Sequence, residues 1–347
     1  KIIEFKNITF SGYKKIEARK ELLKNIISNR IEPVCFWVGE FVCAGHFLYL
    51  WEIVFLFIGK NIHIGNPKLP IYIELKLDEF ANIINKFEGR ELRLRNNPKV
   101  RKIFAEVFII LAQSKKKNSF DCPKISQNEF NIQNIGYRLE ADNLNQSKKY
   151  FSSKDPKELL LCINEFIWHI KKKNTTVAIY WLEWLMTYET VCKKSKKVLT
   201  CDKRRFPVEF KYRTESIWII WEILLGISDK NPGLNKIING ILRLFCVRYS
   251  TGTKRKRRFL IYFAISLITE KIDGSIKIVA KENILNNALK NLDVIYKQIK
   301  KSENKTKNSF LFGMGDADNE RGGTHKNNNL ENTTNKLSIM SDMFKIN

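Results

Sequence analysis

The sequence predicts a mainly α-helical protein, a multi-helical array with two helical subdomains and a disordered C-terminal tail. Three observations predict it. Apolar residues recur at helical spacing in run after run, sustained strand alternation between turn dipeptides is nearly absent, and residues 302–347 are rich in Asn, Thr, Gly and Lys. A 44% hydrophobic composition with 23 Phe, 11 Tyr and 7 Trp supplies a large core over 347 residues, which excludes disorder as the overall description.

Taken in order, residues 15–28 read as an amphipathic helix carrying Ile16, Leu22, Leu23, Ile26 and Ile27. Pro33 opens a more apolar run, 34–58, in which no breaker is evident, so one central helix is expected. It is long enough to cross a bilayer, yet Glu40, His46 and Glu52 spread around it and no single polar face hides them. A core helix is therefore the preferred reading, with membrane contact through 34–58 as the alternative. Gly59 to Pro70 is a turn-rich connection.

Asn97 and Pro98 pair a helix cap with a first-turn proline, followed by the stripe Val100, Ile103, Phe104, Val107, Phe108 and Leu111, ending near Lys115. The asparagine-rich stretch 118–153 reads as an irregular linker or insertion between an N-terminal subdomain, 1–117, and a C-terminal one, 154–301. Asp155, Pro156 and Glu158 form a helix-start signal for the stripe Leu159 to Ile170. Thr175 or Thr176 caps the next helix, whose apolar residues surround the cylinder. Further helices are expected over 214–225, 234–247, 259–269 and 281–299. In the tail, Leu337, Ile339, Met340, Met343 and Phe344 have the spacing of a short docking helix.

The formal net charge is +25, and the tail is balanced at six cations and six acids, so residues 1–301 carry the whole excess. Such a body concentrates polyanions, and DNA or RNA backbone or an acidic protein surface is the expected partner. The seven cysteines are odd in number and mostly sit in apolar runs, which fits an intracellular, reducing compartment. No signal peptide opens the chain, although it starts at Lys1 and not Met.

Three basic blocks stand out: Lys254, Arg255, Lys256, Arg257 and Arg258; Lys193, Lys194, Lys203, Arg204 and Arg205, with Lys196 and Lys197 between; and Arg90, Arg93, Arg95 and Arg101, with Lys99 and Lys102 beside the last. Consecutive cations replace condensed counterions on phosphates without reading a base. The first block also resembles a nuclear import signal, and it opposes the dipole of any helix it starts, a conflict an anion would relieve.

No cofactor is predicted. The zinc alternative draws on Cys122, His169, Cys192 and Cys201, although eight residues separate the last two cysteines where a ligand pair has two to four. The magnesium alternative is a nuclease using Glu74 and Lys76 at the end of a strand, which would need a second, upstream carboxylate and a sheet beneath. No phosphate loop, nucleophile elbow or H-E-x-x-H appears. A calcium loop at Asp316, Asp318 and Glu320 fails at Arg321 and Asn327. The expected role is thus a noncatalytic nucleic-acid binder, with an adaptor for acidic proteins and the metal-dependent nuclease as alternatives.

The segments HIGNPKLPIYIEL (63–75), RNNPKVRKIFAE (95–106), DPKELLLCINEF (155–166) and YWLEWLMTYE (180–189) resemble conserved, largely uncharacterised proteins of nucleocytoplasmic large DNA viruses. The resemblance covers roughly residues 33–225. It implies a viral protein made in an infected eukaryotic cell, a genome-handling or virion component in the nucleus, the viral factory or the virion, and it carries over no active residue.

Overall fold

The computed structural model describes residues 5–87 and 91–302, and among them the chain is a multi-helical array without a β-sheet; one isolated bridge joins Ile8 to Lys14. The tail beyond Ser302, with its apolar anchors, and Arg90 lie outside the described residues. In chain order the helices are α1 (Lys15–Ile27), α2 (Ile31–Cys43), α3 (Phe47–Phe57), α4 (Leu69–Lys86), α5 (Glu91–Arg95), α6 (Pro98–Gln113), α7 (Ile132–Gly136), α8 (Leu160–Lys171), α9 (Thr175–Lys194), α10 (Ile217–Ser228), α11 (Pro232–Cys246), α12 (Thr253–Lys256), α13 (Arg258–Thr269), α14 (Glu282–Lys290) and α15 (Leu292–Lys301).

Local chemistry explains where these helices start and stop. Asn97 caps α6 as its sequence predicts, its Oδ1 accepting from the N–H groups of Lys99 at 2.8 Å and Val100 at 3.4 Å. For α9 the cap is Asn174, accepting from Val177 N–H, and Thr175 is already helical. The run 34–58 is two helices and not one. The chain turns at Gly45, whose φ of 77° suits glycine, and a Cβ there would lie 2.1 Å from Glu91 Oε1. The expected 281–299 helix likewise divides at Asn291 into α14 and α15. After α3 a π-helical turn, Ile58–Ile62, brings Gly59 so close to α13 that a Cβ would sit 2.7 Å from the Phe259 carbonyl carbon. The stretch Phe47–Gly65 is long and apolar enough to cross a membrane by length and composition, and 67% of it is buried in the fold.

The described residues pack as two compact units that are discontinuous in sequence: those within Lys1–Val54, Leu75–Ser114 and Val279–Asn347 form one, Phe55–Glu74 and Lys115–Ile278 the other. They do not coincide with the contiguous halves 1–117 and 154–301. In the first unit α2 is buried from Pro33 to Cys43 and packs on α1, α6 and α15. Gly39 admits α15, since a Cβ would meet Ile299 Cδ1 at 2.5 Å. Glu40, fully buried on α2, accepts hydrogen bonds from Ser11 N–H at 2.9 Å and Ser11 Oγ at 2.6 Å. Burial raises its pKa, and those hydrogen bonds oppose the rise. Phe47, Trp51 and Phe80 gather around Phe104, with ring centroids 5.2–5.9 Å from it.

The second unit is centred on α13, buried from Leu260 to Thr269 and packed on α9, α10 and α11. Its irregular segment, read from sequence as a linker, is pinned by buried polar groups. Glu165 accepts from the N–H groups of Glu140 and Ala141, each at 3.0 Å, and Asn164 bonds both Ser147 N–H and Asn143 O. Asp155 does not cap a helix, because its carboxylate takes Ser152 N–H, Asp202 N–H and a bidentate Arg204; α8 starts later, at Leu160.

All seven cysteines are free thiols, six of them buried and Cys122 exposed. Burial pushes Cys35, Cys43, Cys201 and Cys246 up to about 12 and raises Cys162 well above its ordinary value.

Candidate polyanion-binding groove

Helix α9 ends at Lys194, and Lys196 turns the chain away with a φ of 57°. This turn and the Thr251–Arg255 segment line one groove of about 570 Å³ in the second unit. Two basic blocks some sixty residues apart in sequence thus meet at one surface. Lys193 and Lys196 are exposed there and make no ion pair with any described residue, while the exposed Arg255 donates only to Thr190 Oγ1. Lysines in the last turn of α9 also complement its dipole, a structural role that Lys193 and Lys194 serve at the same time.

Beneath these cations the groove has an ionic floor. Lys254 is 7% exposed, with its ammonium between Glu189 and Glu215, 2.9 Å from the latter. Burial alone would depress its pKa, but the two carboxylates outweigh it and hold the group above the ordinary lysine value. Ser216 donates to Glu189, and Tyr249 donates to Glu215 at 2.8 Å. Lys254 is therefore a buried counter-charge and not a phosphate ligand.

Its neighbours in the five-cation run divide the same way. Arg257, 3% exposed, donates to the carbonyls of Leu244, Phe245 and Val247 at 2.7–3.2 Å and so closes the C-terminus of α11. Arg258 pairs with Glu183 at 2.8 Å and meets Cys122 Sγ at 2.7 Å. Lys256 is exposed and makes no ion pair with any described residue. The expected conflict between five cations and a helix dipole is thus relieved from inside, by acids and carbonyls.

In the second block Arg204 is buried, forked onto Asp155 at 2.8 and 2.9 Å and bonded to Glu222 at 2.6 Å. Arg205 is exposed, and the Lys203 ammonium lies 3.4 Å from the centre of the exposed Phe210 ring. In the third, Arg95 is buried against Glu91, Arg101 stacks over Tyr296 at 4.5 Å, and Arg93, Lys99 and Lys102 are exposed.

The nuclease geometry fails on its first requirement. Glu74 and Lys76 lie on α4 and not on a strand; Glu74 pairs with Arg243 at 2.8 Å, and Lys76 with Glu106 at 2.9 Å and Glu79 at 3.1 Å. Among the described residues no group of three or more His, Cys, Asp or Glu side chains could hold a metal ion, so Cys122, His169, Cys192 and Cys201 do not assemble. His169 instead sits 3.5 Å from Glu165 in the interior.

Sequence reasoning missed the acids that decide which cations face water: Glu183, Glu189, Glu215 and Glu222. The signal was a carboxylate on an otherwise apolar helix, as at Glu183 and Glu189 on α9 and Glu222 on α10. No family model, no curated protein and no solved structure matches the chain.

Proposed function

We propose that the protein binds nucleic-acid backbone without catalysing a reaction on it, through the groove bearing Lys193, Lys196 and Arg255. The observation that supports this reading is the convergence of two distant basic segments at one groove, where Lys193, Lys196 and Arg255 are exposed and pair with no carboxylate among the described residues, although Lys197 beside them is tied to Glu158. Phosphates satisfy such a surface by displacing counterions, and no base need be read. The likeness to large-DNA-virus proteins extends the reading to a genome-handling or virion component of an infected cell.

The test is fluorescence anisotropy with 20-nucleotide single and duplex DNA across a salt series. The variant Lys193→Gln/Lys196→Gln/Arg255→Gln is expected to bind at least about tenfold more weakly and to flatten the log–log salt slope by about 2–3, near 0.7–0.9 per lost phosphate contact. Undiminished affinity in that variant sinks the groove assignment. A partner that copurifies after nuclease treatment, with no binding to DNA or RNA, would transfer the groove to an acidic protein surface.

A further inference from the structure

The second unit has another concavity, of opposite character. A cleft of about 480 Å³ is lined by Phe120, Asp121, Tyr137, Arg138, Glu140 and Tyr180, over the buried Trp181. Its volume suits a small ligand or one side chain of a partner.

Three features of the lining specify what would enter. Tyr137 is 93% exposed and makes no ring contact or side-chain hydrogen bond with any described residue, so an aromatic face stands free at the mouth. The carboxylates of Asp121 and Glu140 are exposed and pair with no lysine or arginine among the described residues, although cations outnumber acids 61 to 36 in the chain; Glu140 has only His169 Nδ1, at 3.9 Å. Finally, the wall already holds one guanidinium. Arg138 stacks over Tyr180 at 4.6 Å with its Nε 3.5 Å from Glu129, which in turn accepts the Tyr180 hydroxyl.

We propose that this cleft binds a guanidinium cation, seated on the Tyr137 ring and paired with the Asp121 and Glu140 carboxylates. It would repeat with a ligand the arrangement that Arg138 makes with Tyr180 and Glu129. Aromatic faces attract cations through their quadrupole, and the two unpaired carboxylates repel a phosphate-bearing ligand. The cleft is independent of the anion groove, and the inference does not rest on nucleic-acid binding.

Calorimetric titration with agmatine, with the blocked tripeptide Gly-Arg-Gly, with its Gly-Lys-Gly counterpart and with adenosine monophosphate tests the assignment. Both guanidinium ligands are expected to bind in the millimolar range or tighter, and Gly-Lys-Gly at least about fivefold more weakly than Gly-Arg-Gly, because a compact ammonium lacks the flat stacking face. Tighter binding of agmatine marks a free amine as the natural ligand, and tighter binding of the tripeptide marks a protein side chain. Tyr137→Ala and the pair Asp121→Asn/Glu140→Gln, all exposed positions, should each weaken agmatine about tenfold while leaving the melting temperature unchanged. Arg138→Ala, which removes the competing guanidinium, should preserve or tighten binding. Affinity unaltered in the Asp121→Asn/Glu140→Gln variant, or adenosine monophosphate binding more tightly than agmatine, overturns the proposal; the latter would make the cleft a nucleobase site.

Discussion

Arg255 and Arg257 stand two residues apart in one cationic run, yet one projects over a groove and the other vanishes beneath three carbonyls. The segment around Lys193 and Lys196 carries no more charge than the run at 254–258, but keeps its heads in water. The difference lies in the partners and not in the cations. Where a helix nearby carries a carboxylate inside an apolar face, or ends in unsatisfied carbonyls, a cation is drawn in to neutralise it. Net charge therefore overstates the surface available to a polyanion.

Removing inward cations should damage folding, and removing outward ones should not. The largest effect is expected at Arg204→Met, which strands Asp155 and Glu222: a loss of about 3–5 kcal/mol in denaturant unfolding. A cost below about 1 kcal/mol would dissolve the distinction. Lys254→Met comes next, at about 2–3 kcal/mol, because Ser216 and Tyr249 still serve the two carboxylates. The sign with pH follows from its raised pKa: the stabilisation is complete below the ordinary value of 10.5 and is lost as pH climbs through the higher folded value. Wild type and Lys254→Met should accordingly converge in stability only in strong alkali.

Glu40 sharpens the contrast, being an interior carboxyl met by Ser11 and by no cation among the described residues. Its raised pKa means that the folded state holds the proton more tightly, so the contribution is favourable below the ordinary value of 4.5 and fades as pH rises through the folded one. Glu40→Gln should gain on wild type across that window, at up to about 1.4 kcal/mol per unit of displacement. Parallel pH–stability curves for the two would refute it. The smallest effect belongs to Lys193→Gln/Lys196→Gln/Arg255→Gln, whose stability should stay within about 0.5 kcal/mol of wild type while its affinity falls.

Helix identity was legible wherever capping and periodicity agreed, as at Asn97 and Pro98. It failed where a tertiary contact overruled a local signal. Gly45 is one glycine in an apolar run, and only the crowding of Glu91 and Arg95 shows why the chain turns there. Asp155 carries a complete cap signature but is claimed by Arg204, 49 residues away. The nuclease alternative needs Glu74 and Lys76 on a strand, and Ile71 to Leu77 is too short to reveal its period; α4 declares itself only over its whole length. The groove was half legible: its cations are plain in the sequence, whereas the pairings that subtract from them are long-range.

The burial of six thiols beside the exposure of Cys122 has a practical corollary. A maleimide dye added to the native chain should attach at a single position, next to Asp121 and within reach of Arg258, with no engineered substitution. Fluorescence from that one attachment would report on the cleft as it fills, and a second equivalent of dye taken up would signal that the interior has opened.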